Sequence, residues 1–247
     1  KQIESELNID KSNSWMIGDS SSDIKAGDNF GIKSILVNTG FGGRDYKYFC
    51  RPDFQMNNIY DAVNFIFNDY EFIYDKLSTV NIDWKINNLF ISGISNSGKS
   101  TYASCLKHFI LDKKKNKCIV ISLDNFMKNR DERNEFPDIY NFSEIQDFFN
   151  KRIKNDKFNI KPRVYDPMNG NQVEFEDEEI IITPEDFIIF EGLIATKLAI
   201  ENNFDNNLFF LDTDESICKK RFEKEYRSRK FSEDEINNLY FLRENER

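Results

Sequence analysis

The sequence predicts parallel α/β structure in two successive parts, and three observations carry this. Residues 14–67 alternate short apolar runs with amphipathic stretches in the order strand, helix, strand, helix. Residues 88–101 read NLFISGISNSGKST, a buried apolar run followed by a glycine-rich turn, and the next residues have helical periodicity. Further on, the apolar runs Cys118–Ser122, Phe187–Phe190 and Leu208–Leu211 lead into Asp124, Glu191 and Asp212, as strands do when they deliver acids to the carboxyl edge of a parallel sheet.

In the first part, Ile3, Leu7 and Ile9 suggest the tail of a helix. Ser14-Trp15-Met16-Ile17 then reads as a strand ending at Gly18-Asp19-Ser20. Ser20 to Phe30 reads as a helix with Ile24 and Ala26 inward, stopped by Gly31. Ser34–Val37 is a second strand closed by the loop Thr39 to Gly43, and Phe54–Met56 is a short third one. Ile59 to Phe67 reads as a helix with Ile59, Val63 and Ile66 on one face. Asp19 lies at a strand tip, where parallel sheets place ligands, and Asp23 follows at the helix start. Two carboxylates there suit a hard cation such as Mg²⁺. They equally suit capping of the helix, and spacing alone does not choose. Asn68 to Asn87 mixes Tyr70, Phe72 and Tyr74 with charges and has no Gly or Pro, so it reads as a helical connector.

In the second part, Gly93, Gly98, Lys99 and Ser100 form G-x-x-x-x-G-K-[ST] at full spacing. Glycines let successive N–H groups point into one concavity. The helix N-terminus behind them adds unpaired donors and the positive end of its dipole, which favour phosphate oxygens. Gly93 and residues Ser95, Asn96, Ser97, Gly98, Lys99, Ser100 and Thr101 are therefore the candidate cradle for a nucleotide, with ATP and Mg²⁺ the implied cofactors. Lys99 would bridge the β- and γ-phosphates, and the Ser100 hydroxyl would take a Mg²⁺ position. Asp124 is placed to accept a hydroxyl proton or to bind Mg²⁺ through water. Glu191, at a second strand tip, is a natural metal partner for Ser100.

Between these strands, Asp131 to Phe142 reads as a loop and Ser143 to Phe149 as a helix with Ser143 at its start. Asn169-Gly170 signals a hairpin whose return strand carries Val173 and Phe175, an arm able to cover a substrate. Ser216 to Arg229 is a basic helix bearing Lys219, Lys220, Arg221, Lys224, Arg227 and Arg229. It reads either as a lid over phosphates or as a solvated face paired along its length with Glu223 and Glu225. Ser232 to Glu246 reads as a further helix.

Composition narrows the function classes. A net charge of −9 disfavours a nucleic-acid-coating role. No apolar run approaches a membrane span and no signal peptide is visible. Cys50, Cys105, Cys118 and Cys218 are scattered, which fits a reducing cytoplasm. The single histidine, His108, rules out Ser-His-Asp and histidine-rich metal schemes. Trp15 and Trp84 read as packing residues, and Lys113-Lys114-Lys115 as a solvated turn. The partner indicated is a small-molecule phosphate acceptor, with no nucleic acid and no membrane, and a homo-oligomer is left open. Both chain ends read as cut, as in a fragment of a longer protein.

Two resemblances sharpen these readings. Trp15 to Gly40, with IGDSSSDIKAGDNFGIKSILVNTG, resembles the last metal-binding motif of the haloacid dehalogenase superfamily, closest to its histidinol-phosphatase and heptose-bisphosphate-phosphatase branch. That resemblance implies a truncated Rossmann-like segment over residues 1–67 with Asp19 and Asp23 at a Mg²⁺ site. The family's nucleophilic aspartate and phosphate-binding lysine lie upstream of this chain, so no phosphatase activity is expected from it.

The ordered set GISNSGKST, ISLDNF, NEFPDIYNF, PRVYDP, IIFEGL, FLDTD and RFEKEYRSRK is similar to that of the uridine kinase and phosphoribulokinase family of P-loop kinases. It implies a P-loop NTPase three-layer α/β/α domain over residues 88–247, itself truncated at its C-terminus, joined by the connector 68–87. By the resemblance Asp124 is the catalytic base, Ser100 and Glu191 are metal-site residues, and Tyr165 is an aromatic contact to the acceptor. Lys224 and Arg229 fall near lid positions that contact phosphates, and Glu135 stands where a sugar-binding aspartate is usual. The family's uridine kinases follow the Tyr-Asp pair with a histidine and an arginine, but Pro167 to Gln172 contains neither, and the lid glycine is replaced near Lys230. The expected function is an ATP-dependent kinase acting on a hydroxyl of a nucleoside or sugar-like metabolite, fused to an incomplete phosphatase-type domain. The alternative is a nucleotide-binding or hydrolysing regulatory domain attached to a haloacid dehalogenase-type phosphatase.

Overall fold

The computed structural model describes residues 6, 8–134, 138–154, 156–166, 169–204 and 207–242. The chain forms two compact units, Lys1–Ile73 and Tyr74–Arg247. No helix among the described residues is long and apolar enough to cross a membrane.

The first unit is a three-stranded parallel sheet, ordered β1 (Trp15–Gly18), β2 (Lys33–Val37), β3 (Phe54–Met56). Helix α1 (Ser21–Phe30) crosses from β1 to β2 and ends at Gly31, whose φ of 77° is the left-handed conformation that terminates helices. Helix α2 (Ile59–Asn64) does not stop near Phe67 as its periodicity suggests. It passes through a π-helical turn, Phe65–Tyr70, into α3 (Glu71–Leu77). The wider turn has a packing reason. Residues five apart on an α-helix diverge by roughly 140°, whereas the π turn brings Phe65 and Tyr70 to the same side. There both rings meet Trp15, at centroid distances of 6.5 and 4.9 Å, and Phe54 joins them.

The second unit is built on a four-stranded parallel sheet of β4 (Asn88–Gly93), β5 (Cys118–Ser122), β10 (Phe187–Glu191) and β11 (Leu208–Leu211), in the order β11-β4-β10-β5. Alternate strand residues face opposite layers. On one side Phe90, Ile119, Ile121, Ile188 and Phe190 pack against Ile145, Phe148 and Phe149 of α5 (Phe142–Ile153) and Leu198 of α6 (Ala195–Glu201). Phe90 stacks on Phe149 and Phe190, with centroids 6.0 and 5.0 Å apart, and Phe149 meets Phe190 tilted at 4.9 Å. The alternate residues Leu89, Ile91 and Ile189 are fully buried and face the other layer, where α4 (Lys99–Lys114) packs on β4, β5 and β10. The second unit is thus a three-layer α/β/α domain.

Two small antiparallel pairs extend it. β6 (Phe158–Ile160) pairs with β9 (Ile180–Ile182), and the hairpin β7 (Arg163–Asp166)–β8 (Asn171–Glu174) turns at Asn169-Gly170 as the sequence predicts. Phe175 falls just beyond the return strand. Helix α5 is capped by Asn141, which accepts from Glu144 N, and not by Ser143, whose hydroxyl instead donates to the Asn141 side chain at 2.8 Å. Two further helices close the chain, α7 (Glu215–Ser228) and α8 (Glu233–Leu242).

A buried cation fastens α5 to the sheet. Arg152 donates Nε to Asn88 Oδ1 (2.9 Å), Nη1 to the Thr183 carbonyl (2.7 Å) and Nη2 to the Asp186 carbonyl (2.6 Å). Burial pulls its guanidinium below the ordinary value, opposed by the nearby Asp186 and Glu185 carboxylates. Arg152→Ala would remove this donor from the Asn88 and Asp186 oxygens and leave the Thr183 carbonyl with the Asp186 amide at 3.2 Å. It is expected to destabilise the second unit by about 3 kcal/mol, seen as a fall of roughly 6–12 °C in its unfolding midpoint. A midpoint within a degree or two of the parent would show that Arg152 fastens nothing.

Candidate active site

The chain leaves β4 toward β5 and β10 on one side of the sheet and returns on the other as β11. The tip of β4 is therefore a topological switch point, where open parallel sheets bind ligands. The glycine-rich turn sits on that tip. Gly93 has a φ of 150°, and a Cβ there would lie 2.8 Å from the Leu211 carbonyl and from Ser97 Oγ, so only glycine fits. Gly98, with φ 102°, is the N-cap of α4, and no side chain caps this helix. A 16-residue helix thus presents its first turn of N–H groups to the concavity. Ser97 Oγ is buried and has no hydrogen-bond partner among the described residues. The Lys99 ammonium donates to the Ile94 carbonyl at 2.7 Å, folded over the same loop. An uncapped helix start, a cation and an orphaned hydroxyl fit an anion such as a polyphosphate tail.

Across the strand tips, β10 ends level with β5, Glu191 lying opposite Ser122, while β4 runs two residues past its partner Ile91 to Gly93. This register brings Glu191 Oε2 within 3.2 Å of Ser100 Oγ. Glu191 is buried, and burial pushes its carboxyl up. The Asp124 carboxylate adds to the shift, while Ser122, Lys99 and Ser100 pull the other way. A divalent cation would remove the cost of holding the two acids charged together. Ser100 and Glu191, with Asp124 through water, are the residues that could hold it, which suits Mg²⁺ with its few direct protein ligands. No group of three or more His, Cys, Asp or Glu side chains suited to a metal occurs among the described residues.

Asp124 sits in a 3₁₀ turn, Leu123–Phe126, that follows β5. Tyr140, nearly fully buried, donates its hydroxyl to Asp124 Oδ1 at 3.4 Å. The β7–β8 hairpin docks on this turn: Gln172 Nε2 donates to the carbonyls of Asp124 (3.0 Å) and Met127 (2.9 Å), and Tyr165 N donates to Asn125 Oδ1 (3.3 Å). Arg133 closes the arm, donating to the Tyr165 hydroxyl (3.1 Å) and the Gly170 carbonyl (2.6 Å). Glu135 lies outside the described residues.

The basic helix meets the phosphate loop through Arg221 and Glu225. Arg221 donates to the Asn96 and Ser97 carbonyls at 3.2 and 3.0 Å, whereas Arg229 is paired with Glu225 and Lys224 is exposed. Tyr140, Gln172, Arg133, Arg221 and Thr213, whose hydroxyl donates to the Ser97 carbonyl at 2.9 Å, are the site's additional residues. Each lies in a stretch singled out in the sequence, but spacing alone does not show which of them turn inward.

In the first unit, Asp19 Oδ2 accepts from Phe41 N (2.8 Å) and ties down the loop after β2. Asp23 forms a reciprocal capping box with Ser20 at the start of α1. Both acids thus hold local structure at the strand tip.

Comparison with known proteins follows this division. A family model described as HAD-hydrolase-like matches residues 1–62, less than half of the chain. A search of the curated proteins finds no match. Among solved structures, the chain is similar to a candidate fructose transport system kinase from Silicibacter sp. TM1040, with 15% identity, a TM-score of 0.52, and coverage of 68% of this chain and 85% of that one. A D-glycerate 3-kinase from Cryptococcus neoformans (10% identity, TM-score 0.44, 70% and 83% covered) and a possible uridine kinase from Bacillus stearothermophilus (15%, 0.42, 64% and 89%) are more distant in shape. At 15% identity the first likeness shows the fold alone, an α/β architecture shared with that structure.

Proposed function

We propose that the chain is an ATP-dependent phosphotransferase acting on a hydroxyl of a small metabolite. The observation that carries this is the meeting of Ser100 and Glu191 at 3.2 Å beside Lys99 and Asp124, at a sheet edge that an uncapped helix already makes favourable for phosphate. Backbone amides of residues 93–101 and Lys99 would hold the triphosphate. Ser100 and Glu191 would hold Mg²⁺, which neutralises charge on the β- and γ-phosphates when bound. Asp124, oriented by Tyr140, would accept the proton of the attacking hydroxyl. The hairpin docked on the Asp124 turn would keep the acceptor in line and exclude water. The acceptor's class, nucleoside or sugar-like, rests on the sequence resemblance. Asp19 and Asp23 remain the proposed cation ligands of a haloacid dehalogenase-type site in the first unit.

The test is ADP release on a panel of nucleosides, sugars and sugar acids. Acceptor-dependent release, with the phosphorylated product identified by mass, is expected. ATP hydrolysis that ignores the acceptor would favour a regulatory nucleotide-binding domain instead.

A further inference from the structure

Contacts from α7 and from the residues preceding it hold the outer side of the phosphate loop. Arg221 Nη1 donates to the Asn96 carbonyl (3.2 Å) and the Ser97 carbonyl (3.0 Å). Thr213 Oγ1 donates to the same Ser97 carbonyl at 2.9 Å. Asn96 Nδ2 donates to Glu225 Oε2 at 2.7 Å, and the other oxygen of Glu225 is held by Arg229. Asn96 has a φ of 60°, a left-handed conformation that asparagine tolerates better than most non-glycine residues. A trans peptide unit is planar, so its carbonyl and N–H point in opposite directions. With the Ser97 carbonyl drawn outward by two donors, the Gly98 N–H is sent the other way, toward the concavity.

We propose that Arg221 and Thr213 are positioning residues for the phosphate cradle. They fix the Ser97–Gly98 peptide in its binding orientation before any nucleotide arrives, and the Asn96–Glu225 bond holds the adjoining peptide. Affinity then gains because ordering of the loop is not left to the moment of binding. This rests on the nucleotide site proposed above and adds the element that pre-forms it. It also divides the contacts along one helix: Arg221 holds the loop's carbonyls directly, while Arg229 acts through Glu225, the acceptor of the Asn96 side chain.

The experiment compares the full chain with Arg221→Ala, Thr213→Val and Lys99→Ala. It measures affinity for a fluorescent ATP analogue with Mg²⁺, competition by inorganic tripolyphosphate, and amide hydrogen exchange over residues 93–98 without nucleotide. Arg221→Ala is expected to weaken both the ATP analogue and tripolyphosphate by roughly tenfold to a hundredfold, the loss of hydrogen bonds from a charged donor. It should also speed exchange of the Ser97 amide, which is bonded to the Ile94 carbonyl at 3.2 Å, by about tenfold or more. Thr213→Val is expected to give a smaller loss of the same kind, about threefold, and carries the test if the arginine variant fails to fold. Unchanged affinity in Arg221→Ala, with binding lost in Lys99→Ala, would overturn the clamp and leave the nucleotide site standing. Weakened affinity with unchanged exchange in the nucleotide-free protein would make Arg221 a direct phosphate contact and also overturn it. A parent chain that binds neither ligand would overturn the nucleotide reading, and the clamp with it.

Discussion

Asp124→Asn is expected to lower turnover with the acceptor by roughly 10²–10⁴-fold, the range for loss of a positioned general base. The substitution keeps shape. The Asn side-chain oxygen still accepts from the Tyr140 hydroxyl, and the Gln172 bond goes to the main-chain carbonyl of residue 124, which is untouched. Removing the carboxylate also removes the like charge that helps push Glu191 up, so the metal position becomes easier to ionise. ATP affinity should change far less than kcat. Steady-state kinetics with separate determination of kcat and KM check this. Turnover within a few-fold of the parent would remove Asp124 from the chemistry.

Lys99→Ala is the second large effect. In the structure its ammonium rests on the Ile94 carbonyl, 2.7 Å away, a neutral acceptor within the loop that it would line. That carbonyl also receives the Ser97 amide at 3.2 Å, so the turn keeps a hydrogen bond when the lysine is removed. The fold should survive, whereas the transferred phosphoryl group loses its principal side-chain cation. A fall of roughly 10²–10³-fold in kcat is expected, as for removal of one preorganised donor from a transition-state site. Rapid-quench measurement of the first turnover would separate this from slow product release. Near-parental first-turnover rates would contradict it.

The strands of both sheets were legible because Leu89-Phe90-Ile91, Cys118–Ser122 and Phe187–Phe190 are short apolar runs with turn chemistry at their ends, and parallel strands buried on both faces read that way. The loop after β4 was legible because glycine spacing and a following helix coincide. The meeting of Ser100 with Glu191 depends on β10 lying between β4 and β5, a pairing that the sequence order does not state. Features set by tertiary register were not visible. Arg152 lies beyond the helix read over Ser143 to Phe149, yet α5 continues to Ile153 and buries it among three acceptors. The π turn at Phe65–Tyr70 exists to aim two rings at Trp15, and no local propensity signals it. Strands β6 and β9 are three residues each, too short for alternation to show. In the basic helix the resemblance pointed to Lys224 and Arg229, whereas in the structure Arg221 reaches the carbonyls of Asn96 and Ser97, which spacing along the helix does not show.

The central claim is that the amides ahead of Lys99 grip a triphosphate, with the acids at two neighbouring strand tips facing it across a divalent cation. Equilibrium titration of the intact chain with ATP, in the presence and absence of Mg²⁺, tests this most directly. Saturable binding that Mg²⁺ strengthens, that tripolyphosphate displaces and that Glu191→Gln uncouples from the metal is the expected result. Binding that is absent, or that is indifferent to both the metal and Glu191, would contradict it.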